Sequence, residues 1–426
     1  MQLTETIKLY LSKEQERTIL QTMREYIKTV NGLVQLAVGD THISEETKEI
    51  VAEGKACLDM KCFSTATLKS WFPDNRLESA SQNQALNEAR SIVKKYKKLV
   101  WAYNKKLQRL KPEQINRLKP PTLPILRKPV CTYTNIALKI KDNYLSLPFF
   151  EDKPGKFKTK RLLLKTKMTE GQKEKLTSSK LGTVRLALKS NMIVAQIVYT
   201  VLEAPIKEDG GIMGVDLGIK CPAVSYTSDG HAKFYGNGRR NRYIRRHFQI
   251  LRKTLGKKKR LEAIKRINNK EQRIMRDIDH KISREIVNTA VKNNIKEIKL
   301  ENLKNIRSSV NAYRKEYRKR YCKTRKSLKN SCNVHNWSFY RLFTFIEYKA
   351  KLAGIKVVTV DPAYTSQTCP VCGNRKHASD RNYTCSCGFH THRDLLGAIN
   401  ICRSTEYVGG SKDKKSDATR RACAED

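Results

Sequence analysis

Residues 212–220 read IMGVDLGIK, and the way this short stretch is read decides the rest of the chain. Ile212, Met213, Val215 and Leu217 give it the apolar character of a buried strand, yet Asp216 stands among them. A carboxylate in such a place is costly to bury unless it meets a cation or a partner. Gly214 and Gly218 leave backbone space around it.

Working outward, CPAVSYTS (221–228), the turn residues Asp229-Gly230 and HAKFYG (231–236) extend the stretch into three consecutive antiparallel strands. Residues 239–293 follow as a long basic helical stretch, with Ile264, Ile267, Ile274, Ile278 and Ile282 on one stripe and Gly256 expected to break it in two. Two short apolar runs, IKEIKLENL (295–303) and GIKVVTVDP (354–362), read as buried strands joined by a helix from Ser338 to Ala353. Three strands, a helix, a strand, a helix and a strand predict a ribonuclease-H-like α/β layered sheet. The basic segment 305–335 reads as a mobile surface element.

Before this core, LTETIKLYL (3–11) alternates as a half-buried strand, and Lys13 to Leu36 and Ser79 to Leu107 repeat apolar residues at helical spacing. LKPEQINRLKPP (110–121) closes that helical region. Strands return as two hairpins: IALKI (136–140) turning at Asp142-Asn143 into LSL, and TVRLALK (183–189) turning at Ser190-Asn191 into MIVAQIVYTV. A first strand with later hairpins predicts a β-barrel interrupted by a helical insertion, bounded near Pro205 to Gly211.

The chain has 426 residues, with 86 Lys and Arg against 41 Asp and Glu, a formal charge of +45. A field of that size calls for a polyanion, and nucleic acid fits better than a membrane because no apolar run, leader or lipidation motif is legible. Twelve unevenly spaced cysteines in a chain this long predict reduced thiols in a cytosol and exclude a secreted disulfide scaffold. Cys57, Cys62, Cys131, Cys221, Cys322, Cys332, Cys402 and Cys423 are expected as small buried hydrophobes.

CPVCG (369–373) and CSCG (385–388) place two close cysteine pairs about a dozen residues apart, the spacing that folds two knuckles around one tetrahedral Zn²⁺. Cys369, Cys372, Cys385 and Cys387 are the candidate ligands, with His377, His390 or His392 as alternatives for one thiolate. A closed thiolate site leaves no open position for substrate, so its role is to fold an insertion.

Phosphodiester cleavage by two Mg²⁺ needs carboxylates at strand ends. Glu301 would emerge at the carboxyl end of its strand, with an N-cap or salt-bridge role as the competing view. Asp394 lies in HRDLLGAINI (392–401), where Leu395, Ala398 and Ile399 would form a buried helix stripe; taken alone it is a helix-start acid.

GRRNRYIRRHFQILRKTLGKKKR (238–260) interleaves Arg and Lys with Tyr243 and Phe248, which suits phosphate contact with occasional stacking rather than a merely solvated face. KKKR (257–260) is read as phosphate-binding rather than as a localisation signal, and Tyr10, Trp71, Phe72 and Trp101 are read as core.

DLG (216–218), LENL (300–303), DPAYTSQTCPVCG (361–373) and HRDLLGAINI resemble the carboxy-terminal RuvC and zinc-finger signature of the TnpB family of transposon-encoded RNA-guided nucleases. Compact type V CRISPR effectors share that signature. The motif match runs from Ile212 to Arg403, roughly the last half of the chain.

The resemblance implies that Asp216, Glu301 and Asp394 are the Mg²⁺-binding acids of a RuvC-like nuclease spanning 210–368 and 389–403, with the zinc finger inserted at 369–388. It implies a wedge β-barrel over 1–12 and 128–205 and a helical recognition domain over 13–127; independently, the Gly/Ser/Lys/Asp-rich end without periodicity reads as a disordered tail over 404–426. The implied partners are a guide RNA from the transposon end and double-stranded target DNA, read beside a short flanking motif. A monomer in the cytoplasm of a prokaryote, associated with the nucleoid, is expected. A CRISPR effector, a nuclease-dead DNA-binding regulator and a guide-free resolvase or RNase are the competing readings.

Overall fold

In the computed structural model, Asp216 ends the central strand of a five-stranded sheet. The structure describes residues 1–39, 41–44, 47–52, 64–110, 112–115, 118–151, 158–189, 192–267, 269–303, 306, 337–378 and 380–405. The chain divides into two units, Met1–Val201 and Leu202–Asp426.

In the first unit, strand β1 (Gln2–Tyr10) is followed by α1 (Lys13–Val38), the small hairpin β2 (Thr41–Ile43) and β3 (Ile50–Ala52), α2 (Thr65–Trp71), α3 (Ser79–Leu107) and α4 (Pro112–Ile115). Then come β4 (Val130–Tyr133), β5 (Lys139–Lys141), β6 (Tyr144–Glu151), β7 (Lys158–Thr166), α5 (Glu170–Ser178), β8 (Lys180–Lys189) and β9 (Met192–Thr200). The sheet order is β4-β8-β9-β1-β7-β6-β5. β1 joins its two parts: Gln2 to Lys8 pair with β9, whereas Leu9 and Tyr10 pair with β7.

Ser12 starts α1 with a reciprocal capping box, its hydroxyl accepting from the Gln15 N–H while the Gln15 side chain accepts from the Ser12 N–H. One stripe of α1, Ile19, Met23, Tyr26, Val30, Leu33 and Ala37, is buried with Ala85, Leu86, Ala89 and Val93 of α3 and the inner face of the sheet.

Local pattern misleads at two places in this unit. IALKI is not one strand: Asn135–Ala137 form a 3-10 turn, Ile136 points outward, and only Lys139–Lys141 pair. Of the four aromatic residues expected in the core, only Phe72 packs there, against Gly32. Tyr10, Trp71 and Trp101 are exposed, with the Lys8 and Lys105 ammonium groups lying over Tyr10 and Trp101.

The second unit opens with β10 (Gly211–Asp216), β11 (Ala223–Thr227) and β12 (Ala232–Tyr235), which pair antiparallel in sequence. The helices α6 (Gly238–Lys257), α7 (Leu261–Ile267) and α8 (Lys270–Lys292) follow. Next are β13 (Ile295–Glu301), α9 (Phe339–Leu352), β14 (Lys356–Val360), the hairpin β15 (Asn382–Thr384) and β16 (His390–His392), and α10 (Arg393–Arg403). The sheet order is β12-β11-β10-β13-β14, with β10, β13 and β14 parallel. The expected succession of strands and helices is thus present.

Strand alternation divides the sheet into two faces. Met213, Val215, Ile298 and Leu300 pack with Ile282, Ile286 and Ala290 of α8 and with Leu342 and Ile346 of α9. The intervening positions face α10, which lies against β10 and β11.

The basic stretch is three helices rather than two. Gly256 stays inside α6, a tolerable cost of about 1 kcal/mol for a helical glycine. The break falls instead after Lys257, where Lys259 takes a left-handed conformation (φ 52°).

Cys131 and Cys402 are buried and Cys221 half-buried; Cys57, Cys62, Cys322, Cys332 and Cys423 lie outside the described residues. Apart from Ile306, so does the segment 305–335, as do residues 406–426 of the tail. No helix among the described residues is long and apolar enough to cross a membrane.

Candidate functional site

Asp216 and Glu301 end neighbouring parallel strands, one position beyond the paired Val215 and Leu300. They therefore leave the sheet side by side, on the face covered by α10. Asp394 enters from the first turn of that helix. The three acids come from two strand ends and a helix start far apart in sequence, and one face collects them.

Close backbone packing makes this possible. A Cβ at Gly214 would collide with the Ala398 carbonyl and the Cys402 amide, so only glycine lets α10 approach β10. A Cβ at Gly397 would sit 3.2 Å from the Asp216 carboxyl carbon. Gly214 thus makes room for the helix rather than for the acid itself. On α10 it is Leu396 that is fully buried, together with Ala398, Ile399, Ile401 and Cys402, whereas Leu395 is only half-buried.

Asp216 feels the other two acids. Burial pushes the Asp216 carboxyl well above its ordinary range, and the charges of Glu301 and Asp394 push it further, against the pull of Arg393 and Arg381. Burial likewise raises Glu301, opposed by the hydrogen bond that the Thr365 hydroxyl donates to it. Asp394 is gripped through both oxygens by Arg381 Nη1, at 2.6 and 2.7 Å, and its N–H donates to His392 Nδ1.

Further side chains frame the site. Asn400 of α10 donates to the Thr365 and Thr368 carbonyls, both at 2.7 Å, fixing the loop that carries Thr365. Buried Lys299 on β13 donates to the Cys402 and Ser404 carbonyls at the end of α10. Thr365, Arg381, Asn400 and Lys299 escaped the reading of the sequence, because nothing local distinguishes them from surface polar residues.

A donor set of three carboxylates, two of them raising the third, has the chemistry of a site for a hard divalent cation. The acids share a face without closing as tightly as the cysteines do. Among the described residues, Cys369, Cys372, Cys385 and Cys387 form the one group of metal-type side chains whose ligand atoms all lie within 4.8 Å.

In that group the Cys369–Cys387 sulfurs are 3.6 Å apart and the Cys372–Cys385 sulfurs 3.4 Å. Tetrahedral Zn–S bonds of 2.3 Å would separate sulfurs by about 3.8 Å, so the cluster fits zinc. Gly373 and Gly388 turn the two knuckles with φ of 74° and 86°. The Cys385 thiol is held down to about 6, first by the Cys387 backbone N–H. His377, His390 and His392 are outside the cluster, and His392 instead caps α10.

On α6, Arg239, Arg242, Tyr243, Arg246, His247 and Ile250 line an open groove, with Tyr243 70% exposed and stacked on His247. Phe248, expected beside Tyr243 as a stacking residue, is buried.

Known proteins share both the motifs and the fold. Residues 196–307 match the family described as probable transposase, and residues 339–401 match the Cas12f1-like TNB domain. The chain is 32% identical over 170 residues to the TnpB-like protein MJ0751 of Methanocaldococcus jannaschii, covering 39% of this chain and 56% of that one. It is 28% identical over 208 residues to the CRISPR-associated endodeoxyribonuclease Cas12f1 of Sulfoacidibacillus thermotolerans, covering 45% and 44%. The chain thus spans about half the length of the curated relatives it matches. A cryo-EM structure of a Cas12f1–sgRNA–target DNA complex superposes with a TM-score of 0.52 at 17% identity, covering 95% of this chain and 99% of that one, which shows a shared fold. The resemblance to the TnpB family and its Cas12f1 relatives is thereby borne out over residues 196–307 and 339–401.

Proposed function

We propose that this protein is an RNA-guided DNA endonuclease of a transposable element, cutting double-stranded DNA at Asp216, Glu301 and Asp394. The observation that carries the reading is the arrival of these three acids on one face of the sheet, with Asp216 in the field of the other two. The relatives' names, a TnpB-like protein and an endodeoxyribonuclease, point the same way.

Asp216 and Glu301 would hold divalent cations, Mg²⁺ in the cell, from the strand ends, and Asp394 would close the site from α10. Bound there, two such ions would lower the pKa of the attacking water and stabilise the leaving oxygen. Thr365 keeps Glu301 in place through its hydroxyl, and Asn400 keeps Thr365 in place. Cys369, Cys372, Cys385 and Cys387 hold one structural zinc in the insertion at 369–388.

Residues 1–205 supply a wedge over 1–12 and 128–205 and a helical recognition domain over 13–127; the nuclease occupies 210–368 and 389–403. Pairing between a transposon-end guide RNA and the target strand selects the sequence, and the protein reads duplex shape and a short flanking motif. Exposed Arg and Tyr side chains on α6 are suited to phosphate contact and stacking. The active form is a monomer, and it works where the DNA lies, in the cytoplasm.

The test is to express the chain with its native flanking DNA, sequence the RNA that co-purifies, and challenge a matched plasmid with Mg²⁺ beside Asp216→Ala. A transposon-end RNA and guided cutting lost in the variant are expected. RNA with repeat-array ends would instead identify a compact CRISPR effector, and guided binding without cutting a regulator. Cutting that ignores the RNA would sink the guided mechanism.

A further inference from the structure

The acid face contains a cation of its own. Arg381 precedes β15 in the zinc-bearing insertion, and its guanidinium Nη1 sits 2.6 and 2.7 Å from the two oxygens of Asp394. The pair is mostly shielded, the Asp394 side chain being 14% exposed and that of Arg381 35%. Its position is set by backbone: the Arg381 carbonyl accepts from the Arg393 N–H at 2.7 Å, and the adjoining ladder pairs Asn382 with His392. Arg381 also draws Asp216 down, so its charge reaches more than one acid of the cluster.

A carboxylate whose two oxygens share one guanidinium nitrogen has the approach between those oxygens taken. A divalent cation that needs Asp394 must therefore displace those hydrogen bonds, and it must approach against the positive charge that supplies them. We propose that Arg381 is the internal counter-cation of the acid cluster, which neutralises Asp394 while the site is empty and yields that carboxylate when a metal binds. This rests on the reading of Asp394 as a metal ligand. Arg381 is on this account a positioning residue: it sets the metal affinity of the site, and it ties that affinity to the fold of the four-cysteine insertion on which it is carried.

Arg393 provides the comparison. It draws Asp216 down more than Arg381 does, but the two-oxygen grip on Asp394 belongs to Arg381. If only the charge felt by Asp216 mattered, losing Arg393 would have at least the effect of losing Arg381.

The experiment measures Mn²⁺ binding to the full chain by electron paramagnetic resonance, for the wild type and for Asp216→Ala, Arg381→Gln, Arg381→Lys and Arg393→Gln. Zinc content and melting temperature are recorded for each. Arg381→Gln is expected to bind Mn²⁺ about tenfold or more tightly, the scale of a lost charge-assisted hydrogen-bonded pair, with zinc retained. Arg381→Lys, which keeps the charge but not the guanidinium, should fall between the two, and Arg393→Gln should tighten binding less than Arg381→Gln. Unchanged or weaker Mn²⁺ binding in Arg381→Gln, with zinc intact, would overturn the proposal. If wild-type binding does not respond to Asp216→Ala, the acid-site reading itself fails and this inference falls with it.

Discussion

Gly214 of β10 lies directly against the Ala398 carbonyl of α10, with no room for a methyl group between them. This contact sets how closely the helix bearing Asp394 approaches the strand bearing Asp216. Gly214→Ala should therefore push α10 off the sheet, lowering stability by about 3 kcal/mol and abolishing cleavage. Thermal unfolding checks the first effect, and single-turnover cleavage the second.

Replacing Asp216, Glu301 or Asp394 by Ala one at a time should remove cleavage by at least about a thousandfold, the scale expected when an electrostatic centre loses a member. Guide and target binding, followed by electrophoretic mobility, should survive. A variant that still cuts would remove its residue from the proposed centre.

Cys372→Ser should release the metal from the insertion, because three thiolates bind zinc far less well than four. Elemental analysis is expected to fall from one zinc per chain to well below one. Since Cys369, Cys385 and Leu396 share a small core with Tyr383, the start of α10 should loosen with it, read as faster amide exchange near Asp394.

His280 stacks on Phe345 with ring centroids 3.8 Å apart, and burial, then the Lys349 charge, push its pKa from 6.5 down to about 4. The unfolded chain takes up a proton near 6.5 that the folded chain refuses until about 4. Native stability contributed by neutral His280 is thus lost as the pH falls through that window. His280→Gln should flatten the acid limb of a urea-denaturation series between those values.

Charge removal on the α6 face offers a separate test. Arg242→Gln and Arg246→Gln should weaken nucleic-acid binding at every sequence alike and lower the salt dependence by about one unit of slope for each phosphate no longer neutralised. Tyr243→Ala, by contrast, should reduce single-strand affinity with little change in salt slope. Fluorescence anisotropy over a salt series separates the two behaviours.

Much of this molecule is legible in its sequence. Alternation marks β10, β11 and β12, helical spacing marks α1, α3 and α9, and the apolar runs around Leu300 and Val358 mark the parallel strands β13 and β14. The two cysteine pairs announce their cluster because ligand spacing is a local property of the chain, and the RuvC-like motifs carry the three acids. Where local pattern misleads, the deciding force is not local. Gly256 stays helical because a single glycine costs less than breaking α6 there; Trp101 is exposed because it lies off the buried stripe of α3; IALKI turns because its neighbours bury Ala137 and Leu138 in succession.

The sequence alone therefore determined which segments become strands and helices, which residues can ligate metal, and that the whole bears a polyanion-seeking charge, since each follows from spacing, side-chain chemistry or a sum. Only the tertiary structure decided that Asp216, Glu301 and Asp394 meet on one face, that Lys299 caps the end of α10, and that Arg381 grips Asp394. Those relationships join residues separated by up to 178 positions, Asp216 to Asp394, and are set by strand register and by the closeness that Gly214 permits. Burial then gives these contacts their strength, because charges interact most strongly where water is excluded.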